Sequence, residues 1–178
     1  MPRKPPRYDL PHTAPEPLRG VQLLVNTWDA EHCREVAPMK DELRRWLRAR
    51  GVEAGDADLE RLGRLRETLR ALLVANNEGG DPPRKALTAL NTAAAASPLA
   101  LRFEPDGVEL AARDAVGAVL AAAYAAIAEG TWPRLKACRN CHWAFYDTSK
   151  NRSGTWCSMQ LCGNRLKTRR FRSRQVAH

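Results

Sequence analysis

Residues 138–174 read CRNCHWAFYDTSKNRSGTWCSMQLCGNRLKTRRFRSR and hold four of the chain's five cysteines. The cysteines form two close pairs, Cys138-x2-Cys141 and Cys157-x4-Cys162, with fifteen residues between them. Two thiolates on each side of a loop can complete a tetrahedron of sulfur at about 2.3 Å from a zinc ion. A segment of some forty residues buries too little apolar surface to hold itself, so bound metal would supply much of its folding energy. One structural Zn2+ on Cys138, Cys141, Cys157 and Cys162 is the expectation. Four thiolates close the shell and leave no position for a reactive water, which argues against a catalytic metal. His142 follows Cys141 and is a competing ligand that the two pairs make unnecessary.

Charge sharpens the reading. From Trp132 to His178 there are eleven Lys or Arg and one acid, Asp147, a balance of +10; the first 131 residues carry 18 bases and 19 acids, a balance of −1. The whole +9 excess therefore lies in the last quarter, the pattern of a segment that meets a polyanion. A four-thiolate zinc centre carries −2, so part of that charge, Arg165 first, is expected to compensate it. Six bases lie between Arg165 and Arg174 without an acid. On a helix Arg165, Arg169 and Arg172 share one side, and Lys167, Arg170 and Arg174 another.

Upstream, the pattern is helical. Residues 1–17 contain six of the twelve prolines and are expected to be extended. LRGVQLLVNTWDAEHC (18–33) reads as a first helix, which makes Cys33 a buried thiol. PMKDELRRWLRARG (38–51) is a second, opened by Pro38 and ended by Gly51. DADLERLGRLRETLRALLVANNEGG (56–80) is a third, with Leu59, Leu62, Leu65, Leu69, Leu72 and Leu73 on one face. PPRKALTALNTAAAAS (82–97) is a fourth. The period then changes to two around Pro105–Asp106–Gly107, giving a β-hairpin at about 99–111. DAVGAVLAAAYAAIAEG (114–130) returns to helix.

The expected fold is mainly α with a small β-hairpin (α+β): a proline-rich start (1–17), a helical domain (18–131), and a small treble-clef-like zinc finger (132–178). Within the finger, Trp143 and Phe145 alternate as in a strand and Ser153–Gly154 is turn-like, suggesting a hairpin across the intervening loop. Its aromatics are read as a small core around the metal, or as platforms for unpaired bases. No run of 18 apolar residues exists and the N-terminus lacks an apolar signal core, so a cytoplasmic location is expected, where thiols stay reduced.

The residues Cys162–Gly163–Asn164–Arg165, with Cys138-x2-Cys141, Phe145-Tyr146-Asp147 and Trp156-Cys157-Ser158, resemble the CGNR-type zinc finger. In bacteria that finger follows a helical ABATE domain, and the preceding residues resemble one, including the Asn26–Thr27 element. The resemblance implies a stress-induced transcription regulator with a zinc-dependent nucleic-acid-binding finger. Candidate nucleic-acid contacts are Lys150, Arg152, Asn164, Arg165, Lys167, Arg169, Arg170, Arg172 and Arg174, with DNA the first expectation as partner. An RNA or single-strand binder, and a protein-interaction module with purely structural zinc, are the competing readings. No Gly-rich phosphate loop, H-E-x-x-H, G-x-S-x-G or H-x-E occurs, so an enzyme is not expected. Asn26, Thr27 and Trp28 are candidates to line a pocket for a small-molecule effector in the helical domain, and a homodimer is open. The competing reading of Asn26 and Thr27 is hydrogen bonding within a helix contact.

Overall fold

The computed structural model describes residues 12–165. Five helices and three two-stranded antiparallel pairs follow one another in it: α1 (Arg19–Asn26), β1 (Trp28–Asp29), β2 (Arg34–Glu35), α2 (Ala37–Arg48), α3 (Asp56–Glu78), α4 (Arg84–Ala96), β3 (Ala100–Glu104), β4 (Gly107–Ala111), α5 (Ala115–Ala128), β5 (Leu135–Ala137) and β6 (Ala144–Tyr146). A 3-10 turn at Trp132–Arg134 leads into β5, and a π-helical turn at Met159–Gly163 ends the described finger. No helix among the described residues is long and apolar enough to cross a membrane.

α3 is the axis. Its leucines at 62, 65, 69, 72 and 73 are buried, and it packs against α1, α4, α5 and β5. Its length follows from the leucine period and from Gly79, which takes the left-handed φ of +72° that ends a helix cheaply. Leu59, at the start of the same stripe, stays 40% exposed. α5 is apolar almost all round and is buried accordingly from Ala115 to Leu120. Asp114 caps it, accepting from Gly117 N at 2.7 Å.

The first helix is shorter than its apolar spacing suggests. It stops at Asn26, because Thr27 folds its hydroxyl back onto Leu24 O (2.7 Å) and Asp29 organises a turn. One Asp29 oxygen accepts from Glu31 N (3.1 Å) and His32 N (3.3 Å), and the other faces His32 Nδ1 at 2.9 Å. Such local carboxylate bonds outcompete the helix. The chain then pairs Trp28 with Glu35 and Asp29 with Arg34. Cys33 sits in this turn at φ +49° and is exposed, so it is not the buried thiol that a helix through residue 33 would have made it.

The β3–β4 hairpin falls where the change of period places it, with Phe103 opposite Val108 and Leu101 opposite Leu110. Residues 12–17 lie along the surface. Gln22 Oε1 accepts from Ala14 N at 2.8 Å, and the Glu16 carboxylate meets Trp46 Nε1 at 3.0 Å and Arg50 at 2.8 Å. Apolar burial is continuous from these helices into the finger: Leu135, Ala137, Trp143, Ala144 and Phe145 belong to the same core as Leu18, Leu69 and Val119.

α1 and α2 close on each other at Gly20, where an added Cβ would lie 2.3 Å from the Trp46 ring. Gly20→Ala is expected to force that buried indole aside and to cost about 1–3 kcal/mol, seen as a lower urea midpoint at unchanged slope.

Candidate metal centre and nucleic-acid interface

The finger starts at β5, whose register pairs Leu135 with Tyr146, Lys136 with Phe145 and Ala137 with Ala144. The hairpin therefore spans the first cysteine pair rather than the long loop, and Ser153–Gly154 is not its turn. The knuckle at its tip is closed by His142 N donating to Cys138 O (2.8 Å) and Cys138 N donating to Trp143 O (2.9 Å). His142 takes φ +58° there, and its exposed side chain lies outside the sulfur cluster. Of the second pair, Cys157 lies just before the π-helical turn and Cys162 within it. Ser158 caps it, accepting from Leu161 N at 3.3 Å, and Cys162 N reaches Ser158 O at 2.9 Å. A knuckle on a hairpin, followed by a cysteine in a helical turn, is the treble-clef arrangement the spacing implied.

All four sulfurs are buried and lie within 4.8 Å of one another. Cys141–Cys157, Cys157–Cys162 and Cys162–Cys141 are each 3.6 Å apart. A ZnS4 tetrahedron with bonds of 2.3 Å has edges of about 3.8 Å, whereas a disulfide needs about 2.05 Å. The donor set thus fits zinc and not disulfides, and the cluster is the site of one structural zinc. Four buried thiols this close cannot all ionise by themselves, because each thiolate would repel the next. Zinc supplies the charge that lets all four ionise together. Asn140 Nδ2 lies 3.6 Å from the Cys162 sulfur and can donate to it.

The fifteen-residue loop is held by an ion pair. The Lys136 and Asp147 side chains are 5% and 2% exposed, with Nζ 2.8 Å from Oδ2. Lys136 also donates to Gly154 O (3.0 Å), and Asp147 accepts from Gly154 N (2.8 Å) and Ser149 N (3.0 Å). Gly154 is required here because a Cβ would lie 2.7 Å from the Asp147 carboxyl carbon. Arg134 donates to Asp147 O (2.9 Å) and Ser149 O (3.0 Å). Burial alone would raise the Asp147 carboxyl; the hydrogen bond from Lys136, with those of Ser149, instead takes it from 3.8 down to about 2.

Helical side chains then fasten the finger through its backbone. Asn26 donates to Ala144 O (2.9 Å) and accepts from Ala144 N (2.8 Å), so a side-chain amide takes the place of a neighbouring strand. Gln22, one turn earlier, reaches the same carbonyl at 3.3 Å. Arg70, 5% exposed, donates to His142 O (2.8 Å) in the knuckle and to Val25 O (2.8 Å) and Trp28 O (3.1 Å) at the end of α1. At the end of α3, Asn76 holds Leu135 O (2.9 Å), and Asn77 holds Ala137 O (2.6 Å) and Thr155 O (2.9 Å). Arg70, Asn76 and Asn77 were not singled out from sequence. Their only signal is polar chemistry placed beside the leucine stripe of a long helix.

The bases named from sequence meet different fates. Lys150 and Arg152 are exposed on the long loop, and so is Asn164 beyond Cys162. Arg165 is half-buried and pairs with Glu31 at 2.6 Å, at the tip of the β1–β2 hairpin, rather than with the sulfurs. Lys167, Arg169, Arg170, Arg172 and Arg174 lie outside the described residues. Both polar ends of the Asn26 side chain are engaged by Ala144, whereas Thr27 lines a cleft between α1, α2 and α3. Trp28 lies under the Arg66 guanidinium, 5.5 Å from its ring centroid.

Two outcomes test this account. Cys157→Ala should lower bound zinc from one per chain to a small fraction, measured by metal analysis after dialysis, because three thiolates forfeit most of the binding energy. Asp147→Asn should cost about 3–5 kcal/mol by stranding the buried Lys136 charge. Because the folded Asp147 pKa is depressed, its contribution is complete above its ordinary value of 3.8 and fades as pH falls toward about 2. The gap in urea stability between the two proteins should be flat from pH 7 to about 4 and narrow below it.

Comparison with known proteins agrees with this anatomy. No curated protein matches the chain. Residues 134–175 match the CGNR zinc finger, and residues 21–132 match the ABATE family, described as "Putative stress-induced transcription regulator". That second match covers most of the chain, and with the zinc cluster in place the chain belongs to the ABATE family, carrying a CGNR zinc finger at its C-terminal end.

Proposed function

We propose that this protein is a cytoplasmic regulator, without enzymatic activity, that grips nucleic acid, duplex DNA first, through the zinc finger and the basic segment that follows it. The observation that carries the reading is the segregation of charge: +10 in residues 132–178 against −1 before them. Part of that charge is spent within the fold, since Lys136 is buried against Asp147 and Arg165 meets Glu31. The exposed Lys150 and Arg152, and the bases from Lys167 to Arg174, are the candidates for phosphate. Duplex binding is favoured over stacking of single strands because Trp143, 6% exposed, belongs to the core and Tyr146 packs half-buried against it. The helical part would be the regulatory half, responding to a small-molecule effector or pairing two chains.

The test is the salt dependence of binding to random-sequence duplex by the zinc-loaded protein. Each phosphate contact contributes about −0.9 to the log–log slope, so the triple change Arg169→Ala, Arg170→Ala, Arg172→Ala should flatten it by up to about 2.7. An unchanged slope would remove that segment as the contact surface. Preference for structured RNA or for single strands in direct competition would transfer the reading to those partners.

A further inference from the structure

We propose that the cleft between α1, α2 and α3 binds a small amphiphilic organic anion, with its carboxylate on Arg66 and Lys40 and its apolar tail over the leucines beneath them. The cleft has a volume of about 80 Å³. At roughly 10–15 Å³ for one water-sized group, that admits a ligand of on the order of five to eight such groups. Its floor is apolar: Leu24, Leu43, Leu47 and Leu62 are buried, and Leu59 stands 40% exposed at the edge. An exposed leucine beside a hydrophobic floor is what an apolar tail would cover.

The rim is cationic. Lys40, Arg44 and Arg66 line it against a single acid, Glu35. The Arg66 side chain is only 18% exposed. Its Nε meets Glu67 at 2.7 Å and one terminal nitrogen reaches Thr27 Oγ1 at a long 3.4 Å; its other terminal nitrogen has no hydrogen-bond partner among the described residues. A guanidinium offers a two-pronged fork that matches a carboxylate. Lys40 is paired with Glu35, whose side chain is 59% exposed. A pair that exposed is worth little, so an incoming carboxylate can replace it.

The position gives the cleft a route to the finger. Thr27 and Glu35 line it, and Thr27 O accepts from Val36 N at 2.9 Å across the base of the β1–β2 hairpin. At the tip of that hairpin Glu31 holds Arg165, which opens the basic segment. A ligand that takes Lys40 from Glu35 acts on one strand of the element that braces the finger's last described residue. This regulatory meaning rests on the reading proposed above, whereas occupancy of the cleft does not.

The experiment is calorimetric titration of the zinc-loaded full chain, without nucleic acid, with hexanoate, acetate, hexan-1-ol and hexylamine. Hexanoate should saturate one site with a Kd of about 0.1–1 mM, within the range expected of so small a ligand. Acetate, which lacks the tail, and hexan-1-ol, which lacks the charge, should each bind at least about tenfold more weakly. Hexylamine should give no binding. Arg66→Ala should weaken hexanoate about tenfold, and Lys40→Ala, at a half-buried rim position outside the hydrophobic core, should weaken it severalfold. Absence of hexanoate binding at about 10 mM, equal affinity in both variants, or hexylamine binding as well as hexanoate would each overturn the proposal.

Discussion

A two-sided hydrogen bond between Asn26 and the backbone of Ala144 joins the two halves of this protein. The constraint behind it is general. β6 has a partner strand on one edge only, and its buried backbone groups on the other edge must be satisfied or cost stability. The chain meets that need without adding a strand. Asn26 answers Ala144, and the carbonyl of His12 answers Tyr146 N at 3.0 Å. Arg70, Asn76 and Asn77 do the same for carbonyls of the knuckle, of β5 and of the loop segment that precedes Cys157. Each of these bonds is made to backbone, so each fixes where the finger lies rather than which residue occupies it.

This arrangement changes what the zinc has to accomplish. A free forty-residue finger would depend on metal for nearly all of its order. Here the hairpin strands share a core with α3, and the long loop is tied by Lys136 and Asp147. The metal site closes the far end of a structure whose near end is already anchored. The finger is then a rigid extension of the helices, and a surface built on rigid elements holds its contacts in better register than one on a tether.

The same anchoring gives the basic segment a defined starting point. Arg165 belongs by sequence to the Gly-Asn-Arg signature and by charge to the basic run, yet its partner is Glu31 in the helical half. The β1–β2 hairpin that carries Glu31 exists because Asp29 captures the amides that would have continued α1. With the Thr27 hydroxyl turned back onto Leu24 O, that carboxylate ends a helix, exposes Cys33 and places an acid against the root of the basic segment.

The metal ligands, the helices with a strong period and the hairpin at 100–111 follow from the order of residues alone. These are local matters: cysteine spacing, leucine recurrence and turn chemistry act over a few residues. That order also locates the charge, since net charge needs no geometry. The end of α1, the pairing of β5 with β6, the internal use of Lys136 and the role of Asn26 emerge only once the chain is folded. Their partners lie at very different reach: Thr27 and Asp29 act within three residues, Lys136 meets Asp147 eleven residues on, and Asn26 meets Ala144 118 residues away. A polar side chain reads the same in a one-dimensional string whether it faces solvent or a buried backbone carbonyl. The cost of leaving that carbonyl unsatisfied, which selects between the two, arises only when the chain closes around it.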